Sequence, residues 1–265
     1  GIHFFSPVDK MPLVEIIPGA RSGDKALATA LDYVAMIKKT PIVVKDTRGF
    51  YTNRVVPPYL NEAMLMVAEG IKPALIENAA KLLGMPVGPL ALTDETSLEL
   101  GLRIMNSTKK ELGADYKPSG VEDLLETMVT KLGRKGRKSG GGFYEYPEGG
   151  KKHLWQGLSD YFPLAKDQPT ADEAKERILY AQLVAAAQCY ADGIVSDPQS
   201  ADLGAIFGWG FAPWTGGPMS YIDTIGVDSF VRKAESLAQK YGARFAPPAK
   251  FREMAEKKET LYKAA

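Results

Sequence analysis

The chain has 265 residues, 45% hydrophobic and 25% charged, which is ordinary globular usage and enough for one large or two modest domains. Its 33 basic and 32 acidic residues leave a formal net charge of +1, which excludes the strong basic excess of a nucleic-acid-binding surface. The single cysteine, Cys189, excludes an internal disulfide and fits a reducing compartment, and no apolar run approaches the ~20 residues that span a bilayer.

The first 18 residues hold one of the two histidines, His3, and a carboxylate set among apolar neighbours, Glu15 in Leu13-Val14-Glu15-Ile16-Ile17. Strands are expected over 2–5 and 13–17, with Pro7 and Pro12 marking the turn between them. A histidine and a glutamate on neighbouring strands can meet side by side, and a paired carboxylate fixes the imidazole tautomer, as a general base requires. A purely structural pair is the other reading of the same residues. A helix is expected over 24–39, where Leu27, Ala30, Leu31, Val34 and Ile37 form one apolar stripe before Pro41. A strand over 42–45 completes a strand–helix–strand unit, so residues 1–46 read as the end of a doubly wound α/β domain.

From Thr47 onward the pattern is helical. Thr52 is the expected cap of a helix running toward Glu69, with Gly70 just beyond it. Pro57 and Pro58 are expected to kink that helix or delay its start. Further helices are expected over 74–83, 90–112 (with Pro89 in its first turn) and 121–132. Met64, Met66, Met85, Met105 and Met128 read as core filler, and Cys189, in a helical context without a neighbouring histidine, as a small core residue. Residues 148–169, rich in Gly, Lys, Asp and Pro, read as a linker, with His153 as a solvated loop histidine.

The second half repeats landmarks of the first. Arg54 to Gly70-Ile71 has the length of Arg177 to Gly193-Ile194; Leu83-Gly84 matches Phe207-Gly208; and Gly88-Pro89 followed by Asp94 matches Gly217-Pro218 followed by Asp223. Two helical units with such landmarks imply a duplication. No Gly-x-Gly-x-x-Gly turn follows a strand, and Gly140-Gly141-Gly142 has neither the spacing nor a helix behind it.

Four stretches carry a family resemblance. His3-Phe4-Phe5-Ser6-Pro7 with Leu13-Val14-Glu15, Lys45-Asp46 through Gly49-Phe50 to Asn53-Arg54, Gly136 through Gly142-Phe143-Tyr144-Glu145-Tyr146, and the aromatic, Gly/Pro-rich turn around 207–218 resemble the L-3-hydroxyacyl-CoA dehydrogenases. The Ser-Pro variant and the tandem halves are most similar to the α subunits of multifunctional fatty-acid β-oxidation proteins. The resemblance implies a mainly α fold: two homologous helical domains, of the 6-phosphogluconate dehydrogenase C-terminal type, after a short α/β remnant of a Rossmann domain. It places that remnant at 1–46, the first helical domain at 47–147, a linker at 148–172 and the second repeat at 173–265. It implies that His3 takes the hydroxyl proton, Glu15 orients it, Asn53 helps hold the substrate, and Ser6 stands at a cofactor contact where many relatives have asparagine. Phe207 stands where related multifunctional proteins have a substrate-contacting tyrosine; an aromatic that packs the two repeats together is the alternative. NAD is the implied cofactor and acyl-CoA the substrate. A thiolase β subunit, a homo-oligomer, an enoyl-CoA hydratase activity elsewhere in the protein and a cytoplasmic or organelle-matrix location are implied as well, with no nucleic acid and no membrane span. The chain reads as a piece of a longer protein, and without a glycine-rich strand–turn–helix the 265 residues alone are expected not to oxidise substrate. The alternatives are a non-catalytic helical assembly module and the helical domain of another β-hydroxyacid dehydrogenase, which would use a lysine in place of the His-Phe-Phe segment.

Overall fold

A computed structural model of the chain describes residues 1–262. Gly1–Pro58 together with the chain from Leu179 onward form one compact unit, and Tyr59–Ile178 form the other. In chain order the elements are β1 (Ile2–Phe4), β2 (Leu13–Ile16), α1 (Asp24–Met36), β3 (Thr40–Val43), α2 (Thr52–Ala68), α3 (Pro73–Leu82), α4 (Pro89–Thr96), α5 (Leu98–Leu112) and α6 (Glu122–Glu126). Then come β4 (Tyr144–Glu145), β5 (His153–Leu154), α7 (Leu158–Tyr161), α8 (Ala171–Ala191), α9 (Pro198–Trp209), α10 (Pro218–Ile225), α11 (Val227–Tyr241) and α12 (Ala249–Lys257). Helix dominates, as the sequence predicts, and the strands are few and short.

In the first unit β2 is the central strand, antiparallel to β1 and parallel to β3, with α1 as the crossover between β2 and β3. All four residues of β2 are buried, as in a strand covered on both faces. On one side the α1 stripe of Leu27, Ala30, Leu31 and Val34 packs with Val14 and Ile16. On the other side α9 comes close: a Cβ added at Gly204 would lie 2.8 Å from Ile42 Cδ1, and one at Gly208 3.0 Å from Leu13 Cδ2. Beyond β3 the chain bridges to the start of the α8–α9 connection, with Val44 paired to Val195 and the Lys45 N–H donating to the Ile194 carbonyl at 2.9 Å. Residues of α8, α11 and α12 close the core, where Phe230 lies 5.9 Å from Tyr180 and 5.6 Å from Phe251, ring to ring.

In the second unit Met66, Ile76, Leu90, Leu98, Met128 and Phe143 are fully or almost fully buried. The single helix expected over 90–112 is two helices. Ser97 takes φ +78°, ends α4, and accepts the Leu100 N–H on its hydroxyl as the N-cap of α5. Thr93 and Thr96 donate back to carbonyls of the preceding turn, which favours a break there. Residues Thr127–Lys131 continue α6 as a π-helical turn. Pro57 and Pro58 do not delay α2, which begins at Thr52.

The segment expected as an irregular linker is ordered into the second unit. β5 pairs with β4, Trp155 lies under the Arg134 guanidinium at 4.0 Å, and the Gln168 amide donates to the Gly70 carbonyl while accepting the Lys72 N–H. Strand structure therefore also occurs beyond the first 46 residues. His153 sits on β5 and is exposed, as a solvated histidine should be.

The repeated landmarks make the same contacts in both halves. Glu77 on α3 accepts the Leu90 and Ala91 N–H groups at the start of α4 and the Tyr144 hydroxyl, at 2.7, 3.4 and 2.6 Å. Asp202 on α9 accepts the Met219 and Ser220 N–H groups at the start of α10 and the Tyr262 hydroxyl, at 2.7, 3.0 and 2.6 Å. The glycine before each helix, Gly88 or Gly217, has no room for a Cβ, which would overlap the carboxylate. Asp94 then accepts the N–H groups of Phe143 and Tyr144, and Asp223 those of Leu261 and Tyr262, all at 2.8–2.9 Å. One landmark pair shifts: Gly84 lies just past α3 with φ +98°, whereas Gly208 lies inside α9, whose left-handed terminating residue is Gly210. The Phe207-Gly208 match therefore reads two residues early, because α9 is longer than α3.

Two outcomes follow. Arg177 is buried against Glu62 (2.5 Å) and forks onto Glu69 (2.5 and 3.0 Å). Arg177→Ala takes the guanidinium away from the buried Glu62 carboxylate and is expected to destabilise by about 3–5 kcal/mol in urea unfolding. Burial pushes Asp94 up to about 6 from 3.8, against the lowering effect of its backbone and Tyr146 hydrogen bonds. A carboxyl raised on folding binds more protons folded than unfolded between those values, so its contribution to stability is present below the lower value and lost as pH rises through about 6. Denaturation at a series of pH values is expected to show the wild type gaining on Asp94→Asn as pH falls from 7 to 4.

Candidate active site

His3 on β1 stands directly opposite Glu15 on β2 in the antiparallel register. The period of two puts both side chains on the same face. His3 Nδ1 lies 2.6 Å from Glu15 Oε2; the glutamate is fully buried and the imidazole 31% exposed. With Nδ1–H donating to the carboxylate, Nε2 carries the lone pair. The ring is flanked by Phe5 at 4.8 Å and Phe50 at 5.7 Å between centroids. Those apolar faces fix the imidazole plane.

The other oxygen of Glu15 has a separate task. Oε1 accepts the backbone N–H of Tyr51 at 3.1 Å, that of Thr52 at 3.0 Å and the Thr52 hydroxyl at 3.2 Å. Glu15 thus caps the N-terminus of α2 from a distant strand, and Thr52, the expected cap, is instead a donor to it. Free N–H groups and the positive end of the helix dipole favour a carboxylate there. The chain reaches this helix through Gly49 and Phe50, both at positive φ (+82° and +45°). A phenylalanine in that region is uncommon, and here it turns the ring toward His3.

The remaining expected residues are less tightly gathered. Asn53 follows Thr52 on α2 and is exposed. Ser6 is exposed in the loop after β1, preceding a cis peptide to Pro7. Phe207 is half-buried on α9. Among the described residues no hydrogen bond or ring contact links Ser6 or Phe207 to His3. Sequence reasoning did not identify Phe50, Tyr51 and Thr52 as parts of the site, although the Gly49-Phe50 pair lay within a stretch singled out. Cys189 is buried, which pushes its thiol up to about 12, as suits a core residue. No group of three or more His, Cys, Asp or Glu side chains suited to a metal ion occurs among the described residues.

The double duty of Glu15 has a measurable cost. Glu15→Ala leaves the first N–H groups of α2 and the Thr52 hydroxyl without their acceptor, so it is expected to lower stability by about 2–4 kcal/mol in urea unfolding, while Glu15→Gln, which keeps a carbonyl oxygen, costs less.

Comparison with known proteins bears on this arrangement. Residues 1–47 match the family model for the 3-hydroxyacyl-CoA dehydrogenase NAD binding domain, and residues 49–146 that for the 3-hydroxyacyl-CoA dehydrogenase C-terminal domain. The chain is 42% identical over 265 residues to a fatty acid oxidation complex subunit alpha of Shewanella amazonensis, covering 99% of this chain and 37% of that protein. It is 42% identical over 248 residues to the subunit of the same name from Vibrio cholerae, covering 93% of this chain and 34% of that one. The chain therefore spans little more than a third of the curated relatives it matches. A solved 3-hydroxybutyryl-CoA dehydrogenase from Escherichia coli K12 shares its fold, with TM-score 0.74 at 21% identity, covering 97% of this chain and 70% of that one. The dehydrogenase part of multifunctional enzyme 1 from C. elegans superposes with TM-score 0.68 at 25% identity, covering 96% of this chain and 58% of that one. The two matching family models describe successive domains of one enzyme and together span more than half of the chain, which belongs to the 3-hydroxyacyl-CoA dehydrogenase family.

Proposed function

We propose that this chain carries the base and the substrate-side scaffold of an NAD-dependent L-3-hydroxyacyl-CoA dehydrogenase acting in fatty-acid β-oxidation. The observation that carries the reading is the 2.6 Å contact of His3 Nδ1 with Glu15, a carboxylate itself held by three donors at the start of α2. His3 Nε2 takes the proton of the substrate 3-hydroxyl. The imidazolium that results is stabilised by the charge-assisted bond to Glu15. Asn53, exposed next to Thr52, orients the thioester or hydroxyl oxygen through its amide. Phe50 and Phe5 keep water from the imidazole faces.

NAD supplies the hydride acceptor when bound. Residues present here fit its reactive end: a base with an exposed ring edge, and Ser6 exposed on the following loop. The sequence offers no Gly-x-Gly-x-x-Gly turn for the pyrophosphate. The chain's own contribution is therefore the proton step and the alignment.

In the same reading, residues 1–46 are the end of the NAD-binding domain, and 47–147 and 173–265 are tandem copies of the C-terminal helical domain joined by 148–172. The recurring carboxylate contacts of Glu77 and Asp94 with Asp202 and Asp223 support the duplication. Phe207 offers a ring face to the acyl-CoA. A hydratase activity, a thiolase β subunit, a homo-oligomer and a cytoplasmic or matrix location belong to the same proposal; among the described residues no helix is long and apolar enough to cross a membrane.

The test is NAD-dependent oxidation of 3-hydroxybutyryl-CoA by the natural gene product. His3→Gln and Glu15→Gln are each expected to lower kcat by at least roughly a hundredfold. Near wild-type turnover in both would remove the dyad from the mechanism.

A further inference from the structure

Resting on the dehydrogenase reading, we infer that α9, whose Ala201 lies 150 positions from Tyr51 in sequence, is a positioning element of the reaction: it grips Tyr51 and Thr52, and through them fixes the carboxylate plane of Glu15. Two independent contacts carry this. The Tyr51 hydroxyl donates to the Ala201 carbonyl on α9 at 3.0 Å, fully buried, and its ring lies 5.7 Å from Trp209. Burial first, then nearby acidic groups, hold the Tyr51 phenol well above its ordinary range, so it remains a neutral donor.

Thr52 is held from the other side. It is 2% exposed, and a Cβ added at Gly208 would come within 2.9 Å of its Cγ2. Its hydroxyl reaches Glu15 Oε1 while its methyl rests on the bare backbone of α9 at Gly208. Hydroxyl and methyl share one Cβ, so a rotation that moves the methyl withdraws the hydroxyl from Glu15. The backbone N–H groups of the same two residues supply the remaining donors to Oε1. The position of Oε2, and with it the 2.6 Å contact to His3, is set by the helix behind it. Small errors in such supporting contacts degrade catalysis without touching substrate. Thr52, Tyr51 and Gly208 are accordingly positioning residues, and the glycine at 208 is a requirement of close approach.

The experiment measures steady-state oxidation of 3-hydroxybutyryl-CoA by the natural gene product and its variants. Thr52→Val keeps the shape and removes the hydroxyl; kcat is expected to fall about tenfold with both KM values within about twofold. Thr52→Ser keeps the hydroxyl and is expected to retain kcat within about twofold. Gly208→Ala pushes its new methyl onto Thr52 and is expected to lower kcat like Thr52→Val, although alanine is the better helix former. The double change Thr52→Ser with Gly208→Ala removes the displaced methyl, leaves the 3.0 Å approach to Leu13 Cδ2, and is expected to recover part of the loss. Should Thr52→Val fold poorly, Thr52→Ala carries the same expectation without added bulk. Wild-type kcat in Thr52→Val, or equal impairment in Thr52→Ser, would each overturn the role of α9. His3→Gln is measured beside them: if it retains activity, the dehydrogenase assignment of the dyad fails; if it is inactive while Thr52→Val is not, only the inference about α9 fails.

Discussion

One buried carboxylate organises the first unit of this molecule. Glu15 lies on the central strand of a three-stranded sheet and divides its two oxygens between two tasks: Oε2 meets His3, and Oε1 receives the first turn of α2. A fully buried acidic group needs compensation, and the compensation here comes from His3 on β1 and from the first donors of α2. The strand pairing fixes where the imidazole stands, the helix N-terminus fixes the carboxylate, and α9 fixes the helix N-terminus. Loosening any of these moves the others, since the oxygens share one planar group.

The remainder of the first unit serves that arrangement. α1 and α9 cover opposite faces of the sheet, so β2 is buried throughout and Glu15 can be held dry. The positive φ at Gly49 and Phe50 turns the chain sharply enough to aim its next two N–H groups at a side chain on β2. Local strain at this turn is offset by the hydrogen bonds made directly after it.

Much of this was legible in sequence because it follows short-range rules. The strand–helix–strand opening, the meeting of His3 with Glu15 and the stripe of α1 all come from spacing of apolar residues. The repeated Gly-Pro landmarks were visible as well, but their reason was not. Gly88 and Gly217 precede helices with no local capping side chain, because Glu77 and Asp202 cap them from the preceding helix. The same blindness to distant partners assigned the cap of α2 to Thr52. Composition predicts no regular structure over 148–169, yet polar and Gly-rich residues there form β5 and place Trp155 under Arg134, because a cation–aromatic contact needs no apolar periodicity.

The carboxylate contacts at the ends of the two halves bear on how the chain folds. Asp94 joins Phe143 across 49 positions, and Asp223 joins Leu261 across 38. Each closes a long loop with a pair of hydrogen bonds, and the entropy of closure must be met before the pair forms. Such contacts raise the contact order of otherwise local helical hairpins and tie their last residues back to α4 and α10. The amides of Phe143, Tyr144, Leu261 and Tyr262 then exchange with solvent only when the loop as a whole opens, so the tail of each half reports subglobal unfolding in place of ordinary end fraying.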